Sequence, residues 1–261
     1  MTEFEAAIQG GIAALYLAAA LLLALGGRFG RAERAGAWLA GCGFLAHFGL
    51  LLWRWQAIGQ IPIVTRYEDL TVDALTMAGF YLAAQWRLPL LRRAGMLVLP
   101  LAAAGTAWAL FYTRGHFPFD PSLRTNWMII HAQLNSFALG AGTLAAGACL
   151  MLALQRRSAP ELPALAGRLT DWAFFLWAAM VAAGSYWASL AWGRYWGWDP
   201  IEAWSLATVL GYAFFLHLRL KPAWRGRRWG ALALIPYLMM LFTTYGLLMI
   251  RGSVHSQYLF Q

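Results

Sequence analysis

Five tryptophans, Trp187, Trp192, Trp196, Trp198 and Trp204, fall within eighteen residues, centred on Trp192-Gly-Arg-Tyr-Trp196-Gly-Trp198-Asp199-Pro200-Ile-Glu202-Ala-Trp204. Flat amphipathic rings of this kind either anchor a chain at a lipid headgroup layer or line a slot for a flat apolar ligand. Two histidines flank the stretch, His131, four residues after Trp127, and His255 near the C-terminus. Imidazole suits iron, and indole walls with imidazoles from opposite sides point to bis-histidine ligation of a porphyrin. Zinc fits less well, because structural sites take four N/S ligands and catalytic sites three, and the only further histidine nearby is His116. Ser185 and Ser189 lie close to the tryptophans, but no nucleophile elbow or triad spacing accompanies them.

The elements that must position these groups are membrane spans. At 261 residues, 61% hydrophobic and 12% charged, the chain is too apolar for a soluble domain. With about 20 apolar residues per span, the sequence predicts an all-α membrane protein, a bundle of about eight transmembrane helices forming one polytopic domain over 1–261. The spans are 6–25, 35–55, 70–86, 95–112, 127–154, 169–190, 201–218 and 229–250, with the Trp-rich loop at 191–204 and a short linker at 158–163. Glu3 and Glu5 precede the first apolar run, which lacks a basic start and a small-residue cleavage site and is expected to stay as a helix.

Charge then orients the bundle. Four alternate loops hold 14 of the 20 basic residues, whereas the other loops, the tails and the span ends adjoining them hold eight of the eleven acids. By the positive-inside rule both termini and the Trp-rich loop face outward, and the net charge of +9 is explained without nucleic acid.

On this map the histidines separate by depth. His131 lies one turn inside the outer end of the fifth span and His255 just beyond the outer end of the eighth. His217 sits at the inner end of the seventh, about 27 Å along that helix from the loop at 1.5 Å per residue, so it cannot share a metal with His255. His47 lies within the second span, where an ionisable group is functional or paired; a ligand and an interhelical hydrogen bond are both open readings. His116 reads as a solvated loop residue. Asp199-Pro200-Ile-Glu202 has the chemistry of a helix start, with Asp as N-cap, Pro at the first position and Glu closing a reciprocal cap.

The tryptophan stretch resembles the WWD signature of the haem-handling proteins of cytochrome c biogenesis, and the whole pattern is similar to the CcsA (ResC-type) family. Further matching stretches are Trp53-Arg54-Trp55 with Tyr67-Glu68, His131 in Trp127-Met-Ile-Ile-His131, His217 in Phe215-Leu-His217-Leu-Arg219, and Thr244-Tyr-Gly246 followed by His255-Ser256. The related CcmC and CcmF proteins share a tryptophan-rich loop but have other helix counts.

The resemblance implies a protein of the bacterial inner membrane that works with a CcsB (ResB-type) partner. Haem b would be its cargo, carried outward and attached to the two thiols of a Cys-X-X-Cys-His segment in apocytochrome c. Thiol-reducing proteins are further candidate partners. By the resemblance, His131 and His255 are the axial ligands of an outer haem, and Trp192, Trp196, Trp198, Asp199 and Trp204 belong to its platform. His217 ligates haem in transit, its opposite ligand coming from the partner or, as a lower-ranked alternative, from His47. Synthase activity would belong to the complex.

Two other classes compete. A bis-histidine electron-transfer subunit requires two histidine pairs stacked on the same helices at two depths, which this spacing does not supply. A solute transporter would use the tryptophans only as an interfacial belt.

Overall fold

A computed structural model describes residues 2–26, 30–112, 114–115, 117–118, 125–154 and 159–247. Helices are the only regular elements among them: α1 Thr2–Leu25, α2 Gly30–Ile58, α3 Arg66–Arg87, α4 Gly95–Ala109, α5 Asn126–Leu154, α6 Leu162–Trp192, α7 Pro200–Leu218, α8 Arg227–Leu232 and α9 Leu234–Leu241. A 3-10 turn, Pro89–Ala94, leads into α4, and a π-helical turn, Phe242–Gly246, continues α9. Among the described residues, seven helical segments are long and apolar enough to cross a membrane, and the chain is an all-α, multi-pass membrane protein.

The third expected span is the one that differs in character. At 22 residues, α3 would be about 33 Å long, sufficient to span, yet it is not among the seven apolar segments. Its first half carries Arg66, Glu68, Asp69 and Asp73, and Arg66, Glu68 and Asp73 are buried against protein.

Boundaries move for local reasons. The α3 helix starts at Arg66 because Thr65 and Glu68 form a reciprocal cap. The segment read as a linker, 158–163, already contains the start of α6, with Pro163 in the first turn, where its missing N–H costs nothing. The last expected span, 229–250, is not one α-helix. Pro236 cannot donate to the carbonyl four residues back, at Leu232, and the helix breaks at Ala233 between α8 and α9. Residues 248–250 lie outside the described set.

The chain packs as two compact units, Met1–Pro118 and Phe119–Gln261. In the first, α1 packs on α2 and α4, and α3 on α2 and α4, around fully buried Tyr16, Tyr67, Leu70, Tyr81 and Leu99. In the second, α5 and α6 form the most extensive helix pair, and α7, α8 and α9 complete the packing. The stretch of α5 from Ala138 to Cys149 is buried throughout and made mostly of Ala and Gly. Small residues suit membrane helices because, without a hydrophobic drive between them, close backbone approach and dispersion hold them together.

Candidate functional site

The Trp-rich stretch is mostly helix end. Trp192 is the last residue of α6, and Pro200 to Trp204 are the first turn of α7, so the connection itself is Gly193–Asp199. Gly193 adopts the left-handed conformation, φ 71°, and its N–H donates to the Ser189 carbonyl at 3.1 Å, a C-terminal cap that glycine reaches without steric cost. At the other end Asp199 caps α7, accepting from the Ile201 amide at 2.9 Å. Glu202 reaches back to the amides of Asp199 at 3.1 Å and Gly197 at 2.6 Å. A third pin is the Ser185 hydroxyl, which donates to the Tyr195 carbonyl at 2.8 Å.

Those anchors hold Trp198 in an unusual state. Its φ is 58° and its side chain is 72% exposed. A left-handed backbone at a bulky residue is sterically unfavourable, and such strain persists only where the surroundings over-determine it. The indole stands out of the loop, edge-on to Trp196 with centroids 6.0 Å apart. Glu202→Ala would leave two loop amides without their acceptor, at a cost of about 1–3 kcal/mol. Amide exchange at Gly197 and Asp199 should therefore accelerate while the α5 amides stay protected.

His131 meets this loop's base. It is half-buried one turn into α5, and its Nδ1 lies 3.0 Å from the Met180 carbonyl of α6. A carbonyl only accepts, so Nδ1 carries the proton and the lone pair resides on Nε2. The ring lies nearly parallel to Trp187, 5.8 Å away at 11°, and Trp187 meets Trp192 edge-to-face at 4.9 Å. Trp127 and Tyr186 pack alongside at 4.7 Å. One imidazole and an aromatic shelf are thus joined through α5 and α6.

The other predicted residues are placed elsewhere. Trp204, one turn into α7, packs on Phe242 of the π-helical turn at 4.8 Å. His217 is exposed at the opposite end of α7, its Nδ1 2.7 Å from the Ala213 carbonyl, which again puts the lone pair on Nε2. Nearby, Arg219 holds Asp171 of α6 through its guanidinium at 2.9 Å. His47 is fully buried in the first unit, with Nδ1 3.2 Å from the Tyr16 hydroxyl. The interhelical hydrogen bond is therefore present there. His255 and His116 lie outside the described residues.

The first unit contains a cluster that the sequence reading did not assemble. Arg54 of α2 is 1% exposed and lies 2.8 Å from both Glu5 of α1 and Glu68 of α3. It also donates to the carbonyls of Arg114 at 3.3 Å and Gly115 at 3.2 Å, and its guanidinium lies 4.8 Å from the centre of the Tyr67 ring. The signal was available. One basic and two acidic residues, each beside or within an apolar run and assigned to the same side of the membrane, have strong reason to pair.

Comparison with known proteins agrees with this architecture. The profile of the family described as Cytochrome C assembly protein matches residues 64–255. The cytochrome c biogenesis protein CcsA of Chlamydomonas reinhardtii is 31% identical over 224 residues, covering 79% of this chain and 64% of that protein. CcsA of Prochlorococcus marinus strain MIT 9312 is 27% identical over 246 residues, 79% of each chain. The chain thus spans about two thirds to four fifths of the length of these relatives. Among solved structures, the cytochrome c haem lyase CcmF superposes with a TM-score of 0.71 at 21% identity, over 94% of this chain and 46% of that one, a likeness of fold. With its helices, its aromatic connection and the matched residues 64–255, the chain belongs to the cytochrome c assembly protein family, and its relatives are of the CcsA type.

Proposed function

We propose that this protein is the haem-handling subunit of a cytochrome c synthase in the bacterial plasma membrane. In this reading both termini and the Trp-rich connection face outward, and a CcsB-type membrane protein is its partner. His217 receives haem b within the membrane, with the partner supplying the opposite ligand. His131 and His255 then hold it at the outer face against Trp192, Trp196 and Trp198. There its two vinyl groups meet the thiols of a Cys-X-X-Cys-His segment in apocytochrome c. Each thiol adds its sulfur and hydrogen across one vinyl double bond, so no atom leaves, and the protein's task is to position the reactants.

The observation that carries this reading is the state of His131. Its Nδ1–H donates to the Met180 carbonyl beside the Trp187 and Trp192 rings. A ligating histidine ordinarily donates its other ring N–H to a carbonyl or carboxylate, which fixes the tautomer and strengthens the ligand. His217 has the same internal arrangement through Ala213, and its exposure suits a site completed from outside the chain.

The test is an absorption spectrum of the protein purified with its partner. A low-spin, bis-imidazole b-type haem is the expected result. A preparation that is competent in cytochrome c maturation yet carries no haem, alone or with the partner, would dismiss the proposal.

A further inference from the structure

We infer that Gly184 of α6 is the positioning residue for the His131 imidazole, acting as a window through which that ring reaches the backbone of α6. The inference rests on the reading of His131 as an outer haem ligand and adds a residue that sets its orientation.

In an uninterrupted helix the Met180 carbonyl accepts from the amide four residues on, at Gly184. A carbonyl has a second lone pair, but the side chain at the position that donates to it crowds the approach. Here that position has no side chain, and the His131 ring occupies the space. A Cβ on Gly184 would lie 2.6 Å from both Cε1 and Nδ1 of His131 and 3.4 Å from Nε2. Ordinary contact begins near 3.4 Å, so the ring would have to withdraw by roughly 0.8 Å. A withdrawal of that size along the 3.0 Å Nδ1–Met180 contact would open it to about 3.8 Å, beyond hydrogen-bonding range, and a sideways one would spoil its angle. The ring would lose both its fixed tautomer and the orientation that holds it parallel to Trp187.

A single methyl group at Gly184 is therefore predicted to act on the iron through His131. Loss of a hydrogen-bond partner of a ligating histidine weakens metal affinity by about 10- to 100-fold. A less basic imidazole also raises the potential of the haem it ligates.

The experiment compares four forms of the complex with its partner: wild type, Gly184→Ala, His131→Gly, and the double variant, the last two with and without imidazole. Alanine favours helix over glycine, so α6 should keep its structure. The expected result is that Gly184→Ala lowers outer-haem affinity about 10-fold or more, read as lost occupancy at limiting haem, and shifts the midpoint potential of the remaining haem upward. In the His131→Gly background without imidazole, where no tethered ring remains for the methyl to displace, Gly184→Ala should add no further loss. Normal occupancy and potential in Gly184→Ala would overturn the inference, as would an equal loss in both backgrounds, which would mark Gly184 as a packing residue. Full outer-haem occupancy in His131→Gly without imidazole would instead overturn the ligand assignment itself, and the role of Gly184 with it.

Discussion

Replacing His131 by alanine should strip haem from the outer site and stop cytochrome c maturation, and imidazole in the medium should restore part of both. The loss should exceed the roughly 10- to 100-fold that removing a hydrogen-bond partner of a ligating histidine costs, because an axial bond to iron is removed outright. Rescue follows from what the substitution leaves behind. The Met180 carbonyl, the Trp187 ring and the space above Gly184 all belong to α6. A free imidazole can enter that niche, donate one N–H to the carbonyl and present its other nitrogen to the iron. Holocytochrome yield and the haem spectrum, each read with and without imidazole, check the prediction. Undiminished yield in the variant would mean that His131 does not ligate the haem being attached.

What could be read from the chain alone divides along the range of the forces involved. The helices and the Asp199-Pro200-Ile-Glu202 start of α7 were legible, because hydrophobic runs and caps are local chemistry written within a few residues. The joining of His131 to the tryptophans followed from span counting, which put the N-terminal end of α5 beside the C-terminal end of α6. The contact that orients His131 was not legible. A glycine in the middle of an apolar run carries no mark of what fills the space it leaves, and Met180 takes part through its backbone, which sequence does not distinguish. The sequence places Trp204 one turn into the seventh span, but its packing on Phe242 was not legible, because nothing local marks which neighbour that side of the helix meets. The positive φ of Trp198 is likewise a product of the Glu202 and Ser185 anchors at its flanks, not of any residue preference.

The buried charges of the first unit give the second large expectation. Arg54→Met should destabilise the protein by about 3–5 kcal/mol, the usual cost of removing one partner from a buried ion pair. Glu5 is 0% and Glu68 1% exposed, so two carboxylates would remain in a dry site with no cation between them. Glu68 cannot easily turn away, since its other oxygen accepts from the Val64 amide at 2.8 Å and the Thr65 amide at 3.1 Å at the start of α3. Lysine should rescue poorly. The guanidinium reaches Glu68 through Nε, Glu5 through one terminal nitrogen and the Gly115 carbonyl through the other, a planar fork that a single ammonium does not reproduce. Adding Glu5→Gln and Glu68→Gln to Arg54→Met removes the stranded charge and should recover much of the loss, a non-additivity expected only where the residues act as one unit. Thermal unfolding of the detergent-solubilised variants measures it. An Arg54→Met protein within about 1 kcal/mol of wild type would contradict the cost assigned to an uncompensated buried charge. Helices α1, α2 and α3 would then be joined by apolar packing alone, with the ion cluster incidental to it.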